Sequence, residues 1–372
     1  MNARIALDMH TVGLRQTGNE TYIRNLAEQL SVASLPWRLF FYHTLSADVI
    51  EASRWKGTVR RLWPHQPLFR IPLSFPLALS RDRIDLAHFQ YVAPPACPCP
   101  TVVTIHDISY EFFPEYFHPL QRMRMRALIP LSARRAAHVV TISEFSKRTI
   151  VERYGVAEEN ITVTPLGVSA VFRPIAPGQA EEMTRRFAIA RPFILGVGNL
   201  QPRKNLERLI RAFARMTNGG DRDFDLVLVG QMAWQGHRVE AEVHRLGLDD
   251  RVRLTGYVSE EELVALYNRA TVFAYPSIFE GFGLPVIEAM ACGTPVLTSC
   301  ASSLPEVAGS AALQVDPHDD EAISSELARL ADDAALRAAL SIKGREQAAR
   351  FTWRATAELT ARVFERVLER GS

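Results

Sequence analysis

The stretch that most constrains this chain is residues 271–300, TVFAYPSIFEGFGLPVIEAMACGTPVLTSC. Its opening, TVFAYPS, is a short run of β-branched and aromatic residues, the pattern of a buried strand. Gly281 and Gly283 follow in FEGFG, where the backbone can turn sharply and approach a ligand more closely than a side chain would allow. Pro285 stands where a helix should begin, because its missing N–H goes unused there. Gly293 fits a left-handed stop for the helix PVIEAMAC, and TPVLTS reads as the next strand. The result is a β-loop-α-β unit. At 372 residues the chain exceeds one hydrophobic core, so two domains are expected.

Such a unit aims a glycine-rich loop and the positive end of a helix at one point. The amides of Phe282, Gly283 and Leu284 would face an anion there, most naturally a phosphate. Two carboxylates, Glu280 and Glu288, frame the loop eight positions apart. Beside a phosphate they are wasteful unless they meet hydroxyl donors. Sugar and ribose hydroxyls are such donors, so a sugar nucleotide satisfies the loop and both acids together. Taken alone, the loop fits equally well as a Gly-rich turn with one helix-terminal acid and one solvated acid.

The same strand, glycine and helix grammar recurs along the chain. RIALDMH is a strand, Gly13 and Gly18 punctuate a loop, and apolar residues at helical spacing begin near Glu20. No G-x-G-x-x-G is present, which weakens a dinucleotide-binding reading. TVVTIHD ends in His106 and Asp107, and ligands of open α/β sheets gather beyond the carboxyl ends of strands. Ser143 reads as a helix cap, and Ser259 with Glu262 as a capping box. PFILGVG delivers Gly196 and Gly198 to a turn, followed by Pro202, Arg203 and Lys204 just before the helix NLERLIRAF. Two cations beside helix amides make a receptor for a diphosphate. The alternation in both halves predicts an α/β protein with two parallel, doubly wound sheets.

The run F-E-G-F-G-L-P-x-x-E-A-M-A-C-G-T-P-V closely resembles the E-x7-E signature of the family 4 retaining glycosyltransferases, which have the GT-B fold. The resemblance implies two Rossmann-like domains facing a central cleft. The expected acceptor-side domain is 1–180, with the helix 352–372 packing back on it, and the nucleotide-sugar domain is 181–351. It also implies that Glu280 contacts the donor sugar and Glu288 the ribose. His106 would lie beside sugar and acceptor, and Gly18 near the donor phosphates. Arg203 and Lys204 would neutralise the leaving diphosphate, although many relatives place the Arg directly after the glycine, where this chain has Asn199. Backbone groups of Tyr257 and Val258 would read the base. Glu280 and Glu288 are then not a glycosidase acid and nucleophile pair, since both serve donor hydroxyls. The implied activity is retaining transfer of a hexose to a hydroxyl of a glycan or lipid-linked glycan. G-N-L-Q-P-R-K-N looks like the mannosyltransferase-type members, favouring GDP-mannose over a UDP-hexose as the donor. A sugar-nucleotide epimerase on the same fold and a non-catalytic nucleotide-sugar binding protein are the rivals. The sugar nucleotide is a co-substrate and no cofactor is implied. No Asp-x-Asp metal motif stands out, so metal independence is expected.

Charge separates the two halves. Residues 1–180 hold 20 Lys/Arg and 14 Asp/Glu, a net +6, while the remainder holds 23 and 27, a net −4. The basic excess is sharpest in residues 53–81, with six Lys/Arg, no acid, and Trp55, Trp63, Phe69 and Phe75 interleaved. An anionic membrane interface and an ordinary solvated loop with an edge helix both fit this stretch. Nucleic acid is not expected, because no recognition motif accompanies the charge. Cys97 and Cys99 lie in APPACPCP without partners at zinc spacing, so reduced thiols and a reducing compartment are expected. With no secretory signal and no long apolar run, the expected location is the cytoplasm, at most peripheral to the inner face of the cell membrane.

Overall fold

The computed structural model describes residues 3–13, 17–45, 55–218, 222–231 and 236–371. Its strands are short, and away from the sheet edges their residues are mostly buried, as strands covered by helices on both faces must be. Seven of them, β1 (Ala3–Asp8), β2 (Trp37–His43), β3 (Thr58–Arg61), β4 (Leu86–Gln90), β5 (Thr101–Thr104), β6 (His138–Thr141) and β7 (Ile161–Val163), form one parallel sheet in the order β3-β2-β1-β4-β5-β6-β7. Six more, β8 (Phe193–Val197), β9 (Asp225–Val229), β10 (Val252–Gly256), β11 (Val272–Tyr275), β12 (Val296–Ser299) and β13 (Leu313–Val315), form a second, in the order β10-β9-β8-β11-β12-β13. Each order reverses once, between β1 and β4 and between β8 and β11. The loops leaving those neighbouring strands diverge, which opens a crevice at their carboxyl ends.

Contacts divide the chain into two units, residues 1–111, 120–167 and 352–372 in the first, and 112–119 with 168–351 in the second. The division falls after Gly167 rather than after residue 180, and Phe112–Pro119 counts with the second unit. Phe112 and Phe113 account for that placement, since both rings pack on Phe279, at 5.5 and 5.7 Å. The Trp353–Gly371 helix belongs to the first unit, where Thr356 donates to the Pro165 carbonyl at 2.6 Å and Phe364 packs on Trp37.

The local signals hold. Ser143 caps the Glu144–Tyr154 helix by accepting from the Ser146 amide, and Ser259 and Glu262 form the full capping box of Glu260–Arg269. Gly293 sits at φ 81°, directly after the Leu284–Ala291 helix and its Cys292 cap. In the second unit the apolar stripe of Leu206–Thr217 buries Leu209, Ile210 and Phe213 completely against β8, β9 and β11. Burying one such side chain contributes about 1.5–3 kcal/mol. Two strands carry little signal in the sequence. β3 lies inside the basic run 53–81, and β13 is only three residues long. Arg54 of that run lies outside the described residues.

Candidate functional site

The second unit builds its site from the loops that leave β8 and β11, on either side of its switch point. After β8 the chain makes one tight turn, Pro202–Lys204, and Asn205 closes it at φ 60°. The Asn205 side-chain Nδ2 donates to the carbonyls of Pro276, at 2.9 Å, and Pro317, at 2.7 Å, and the Ile278 backbone amide donates to the Arg203 carbonyl at 3.0 Å. The Asn205 side chain and one backbone bond therefore tie the two loops together before any charged side chain acts.

Those side chains converge on Glu280. Lys204 Nζ donates to Glu280 Oε1 at 2.7 Å, Arg203 Nη1 to Oε2 at 2.7 Å, and the Tyr275 hydroxyl to Oε1 at 2.9 Å. Arg203 Nη1 also donates to the Phe279 carbonyl at 2.6 Å, and Lys204 Nζ donates to the Tyr275 hydroxyl. Burial opposes ionisation of Glu280, but the Arg203 and Lys204 charges outweigh it and hold the carboxyl at about 2. The three residues expected to serve sugar and diphosphate thus satisfy one another in this structure.

The glycine loop lies beside this cluster. Gly283 adopts φ 115°, and a Cβ there would meet Leu304 Cδ2 at 2.7 Å. Ser303 Oγ lies 2.8 and 2.9 Å from the carbonyls of Glu280 and Phe282, and Ser302 Oγ accepts from the Glu280 amide at 2.9 Å. The loop's carbonyls are thereby turned inward. Among the described residues no protein oxygen accepts from the amides of Phe282, Gly283 or Leu284. Glu288, on the helix that follows, is partly buried and accepts from the Tyr267 hydroxyl at 3.2 Å. Burial pushes it up to about 7. The two acids of the E-x7-E spacing therefore differ sharply, one strongly ionised and one half-protonated near neutrality. Tyr257 is exposed and Val258 buried, just past Gly256 at φ 69°, where β10 ends. Asp223 and Asp225 do stand at Asp-x-Asp spacing, but both pair with arginines, Arg191 and Arg251, at the start of β9.

In the first unit, His106 lies just past β5 and is 6% exposed. Its Nε2 lies 2.9 Å from Gln90 Oε1, which can only accept, so Nε2 carries the proton and Nδ1 is an acceptor. Gln90 Nε2 in turn donates to Thr11 at 3.3 Å, the Ser146 hydroxyl donates to the His106 carbonyl at 2.9 Å, and the Tyr22 ring meets the imidazole edge-on at 4.7 Å. Burial lowers its pKa to about 4, so the ring is neutral at pH 7. Sequence reasoning misses Gln90, because a polar residue ending an apolar strand carries no motif; its position at the carboxyl end of β4 is the signal that could find it. It misses Asp8 likewise, buried and bonded to His10 Nδ1 at 2.8 Å. Gly18 departs from the loop position expected of it. The helix opens at Thr17, which places Gly18 in its first turn rather than in the preceding loop, with nothing within 4 Å of the point a Cβ would occupy.

Two doubly wound parallel units, one carrying a glycine loop beside a cluster of two cations and an acid, define a protein of the GT-B class. The solved structure of sucrose-phosphate synthase from Thermosynechococcus elongatus matches with a TM-score of 0.81 at 25% identity, over 99% of both chains. The family model "Glycosyl transferases group 1" matches residues 181–347, and "Glycosyltransferase Family 4" matches 17–172. The chain belongs to the family 4, group 1 glycosyltransferases. It is 35% identical over 254 residues to the O-antigen chain mannosyltransferase B of Escherichia coli, covering 68% of this chain and 66% of that protein. It is 30% identical to the serotype-specific mannosyltransferase WbdA of Escherichia coli over 63% of this chain. The chain spans slightly under two thirds of the first of these relatives and 29% of the second.

Proposed function

We propose that the protein transfers mannose from GDP-mannose to a hydroxyl of a glycan or lipid-linked glycan, with retention of configuration. The observation that carries this reading is the Arg203–Lys204–Glu280 cluster beside three unaccepted amides. A diphosphate competes for both cations and takes the amides of Phe282, Gly283 and Leu284. Glu280, released from its cations, then turns to the sugar hydroxyls. The same donors stabilise charge developing on the departing phosphate, and they do so without a metal ion. Neutral His106, with Nδ1 as an acceptor, takes a hydrogen bond from a sugar or acceptor hydroxyl. Glu288 holds the ribose, and backbone groups at Tyr257 and Val258 meet the base. The mannosyl preference is supported by the two mannosyltransferase relatives and by the Gly198–Asn205 loop sequence.

In this reading the protein works in the cytoplasm, with an anionic membrane surface as the partner that brings it to lipid-linked acceptors. The test is a donor panel of GDP-mannose and UDP-hexoses, scored for nucleoside diphosphate release with lipid-linked acceptors and with chelator present. GDP-mannose should turn over, and proton coupling at the product's anomeric carbon should match the donor's configuration. Turnover confined to a UDP-hexose would overturn the donor, and an inverted product would overturn retention. Conversion of the sugar without acceptor would replace transfer by epimerisation.

A further inference from the structure

Of the thirteen large apolar side chains exposed among the described residues, nine lie on two segments of the first unit. Trp63, Leu68, Phe69, Leu73 and Leu77 stand on the turn and short helices that follow β3, with Trp63 77% and Leu68 78% exposed. Leu120, Met123, Leu128 and Leu131 stand on the Pro119–Arg135 helix, which buries only Ile129, Ser132 and Ala133. That helix holds five arginines and no acid. The charges of the first segment sort differently from its composition. Trp55 packs inward on Phe41, Arg60 and Arg81 pair with Asp82, and Arg70 is buried, which among the described residues leaves Lys56 and Arg61 as the exposed cations not paired with Asp82.

A groove of about 550 Å³ lies between the two segments. Ile71 forms one wall, Leu128 and Leu131 the other, and the Pro-rich run with Cys97 and Cys99 lines it, together with Arg135. It is apolar within and its only charged lining group is a cation, the chemistry of a hydrocarbon chain attached to a phosphate. We propose that this face docks on an anionic bilayer and that the groove takes up one acyl chain of an anionic phospholipid. The proposal rests on the membrane partner named above, and it adds the residues and the site. Exposed leucines and a tryptophan flanked by cations, with no acid on either segment, fit anionic lipid better than an acid-bearing protein surface.

The two thiols give a direct readout, since Cys97 and Cys99 are partly exposed with their Sγ atoms 3.8 Å apart. Maleimide modification is followed by mass spectrometry on the whole protein with phosphatidylglycerol vesicles, with phosphatidylcholine vesicles and without lipid. Exposed Cys300 serves as the internal control. Phosphatidylglycerol should slow modification of Cys97 and Cys99 at least tenfold and leave Cys300 unchanged. Leu128→Gln/Leu131→Gln should abolish that protection. Arg124→Gln/Arg135→Gln should weaken co-sedimentation about thirtyfold, from about fivefold per cation near an anionic surface. Vesicle-bound protein whose Cys97 and Cys99 react at the lipid-free rate would overturn the groove while leaving the membrane partner standing. Failure to sediment with phosphatidylglycerol would overturn both. Protection without lipid that rises with protein concentration would give the face to a second copy of the chain instead.

Discussion

Glu280 is held by two cations and a hydroxyl, and that arrangement fixes opposite outcomes for neighbouring substitutions. In the proposed reading Lys204→Ala removes a charge-assisted donor from the diphosphate, and it should weaken nucleoside diphosphate binding by about 1.5–3 kcal/mol while leaving nucleoside binding intact. Glu280→Gln leaves both cations without their carboxylate, and breaking a buried pair costs about 3–5 kcal/mol of stability. The freed cations should bind the diphosphate at least as tightly as before, even as turnover falls. Titration of both variants with nucleoside and nucleoside diphosphate separates the roles, and weaker diphosphate binding by the Gln variant would remove the competition. Glu288 supplies a pH signature. Its pKa of about 7 is raised above the unfolded value, so the folded carboxyl holds a proton between pH 4.5 and 7 that the unfolded one has lost. In the proposed reading ribose hydroxyls donate to it and favour the ionised form, so nucleotide binding at pH 6 should release close to one proton and at pH 8 almost none. Calorimetry in two buffers of different ionisation enthalpy measures this, and a buffer-independent heat at pH 6 would take Glu288 away from the ribose.

At the scale of elements, the site depends on backbone conformations that particular residues permit. Gly283 sits where a side chain is strained and would strike Leu304, so Gly283→Ala should cost about 1–3 kcal/mol and misdirect the amides that follow. Gly18 is the contrast. In a helix turn with open space around it, Gly18→Ala should be neutral or stabilise by about 0.4–1 kcal/mol. Thermal melts and nucleotide titrations of the two variants test both statements. A Gly18→Ala protein of normal stability that no longer binds nucleotide would place Gly18 in the site.

For the whole molecule, acid should act on one unit before the other. His88, His106 and His138, all in the first unit, are buried, and burial lowers them to about 3, 4 and 4 from 6.5. The Nδ1 atoms of His88 and His138 have no partner. The unfolded chain gains protons below pH 6.5 that the folded unit refuses until near pH 4. Stability is therefore full above 6.5 and falls through that window, by at most about 1.4 kcal/mol per histidine per pH unit. Hydrogen exchange at pH 7 and pH 5 should show β4, β5 and β6 losing protection ahead of β8 and β11. Equal loss in both units would contradict it.

What the sequence determined by itself is local. The strand, glycine and helix grammar of residues 271–300, the left-handed glycines at 283 and 293, and the Ser259–Glu262 capping box each depend on a few consecutive residues. Their backbone preferences act before any distant contact forms. The alternation of such units was enough to predict two parallel sheets. The sequence could not show that β3 adds an edge strand within a basic run. Nor could it show that Gln90 fixes the tautomer of His106, or that Lys204 and Glu280, 76 residues apart, neutralise each other. Those facts depend on which strands become neighbours and on where each order reverses, since only that choice brings the loops after β8 and β11 together. Tertiary neighbours then decide the charges: the Arg203 and Lys204 cations hold Glu280 at about 2 against its burial, while burial raises Glu288 to about 7, although both began as the same side chain.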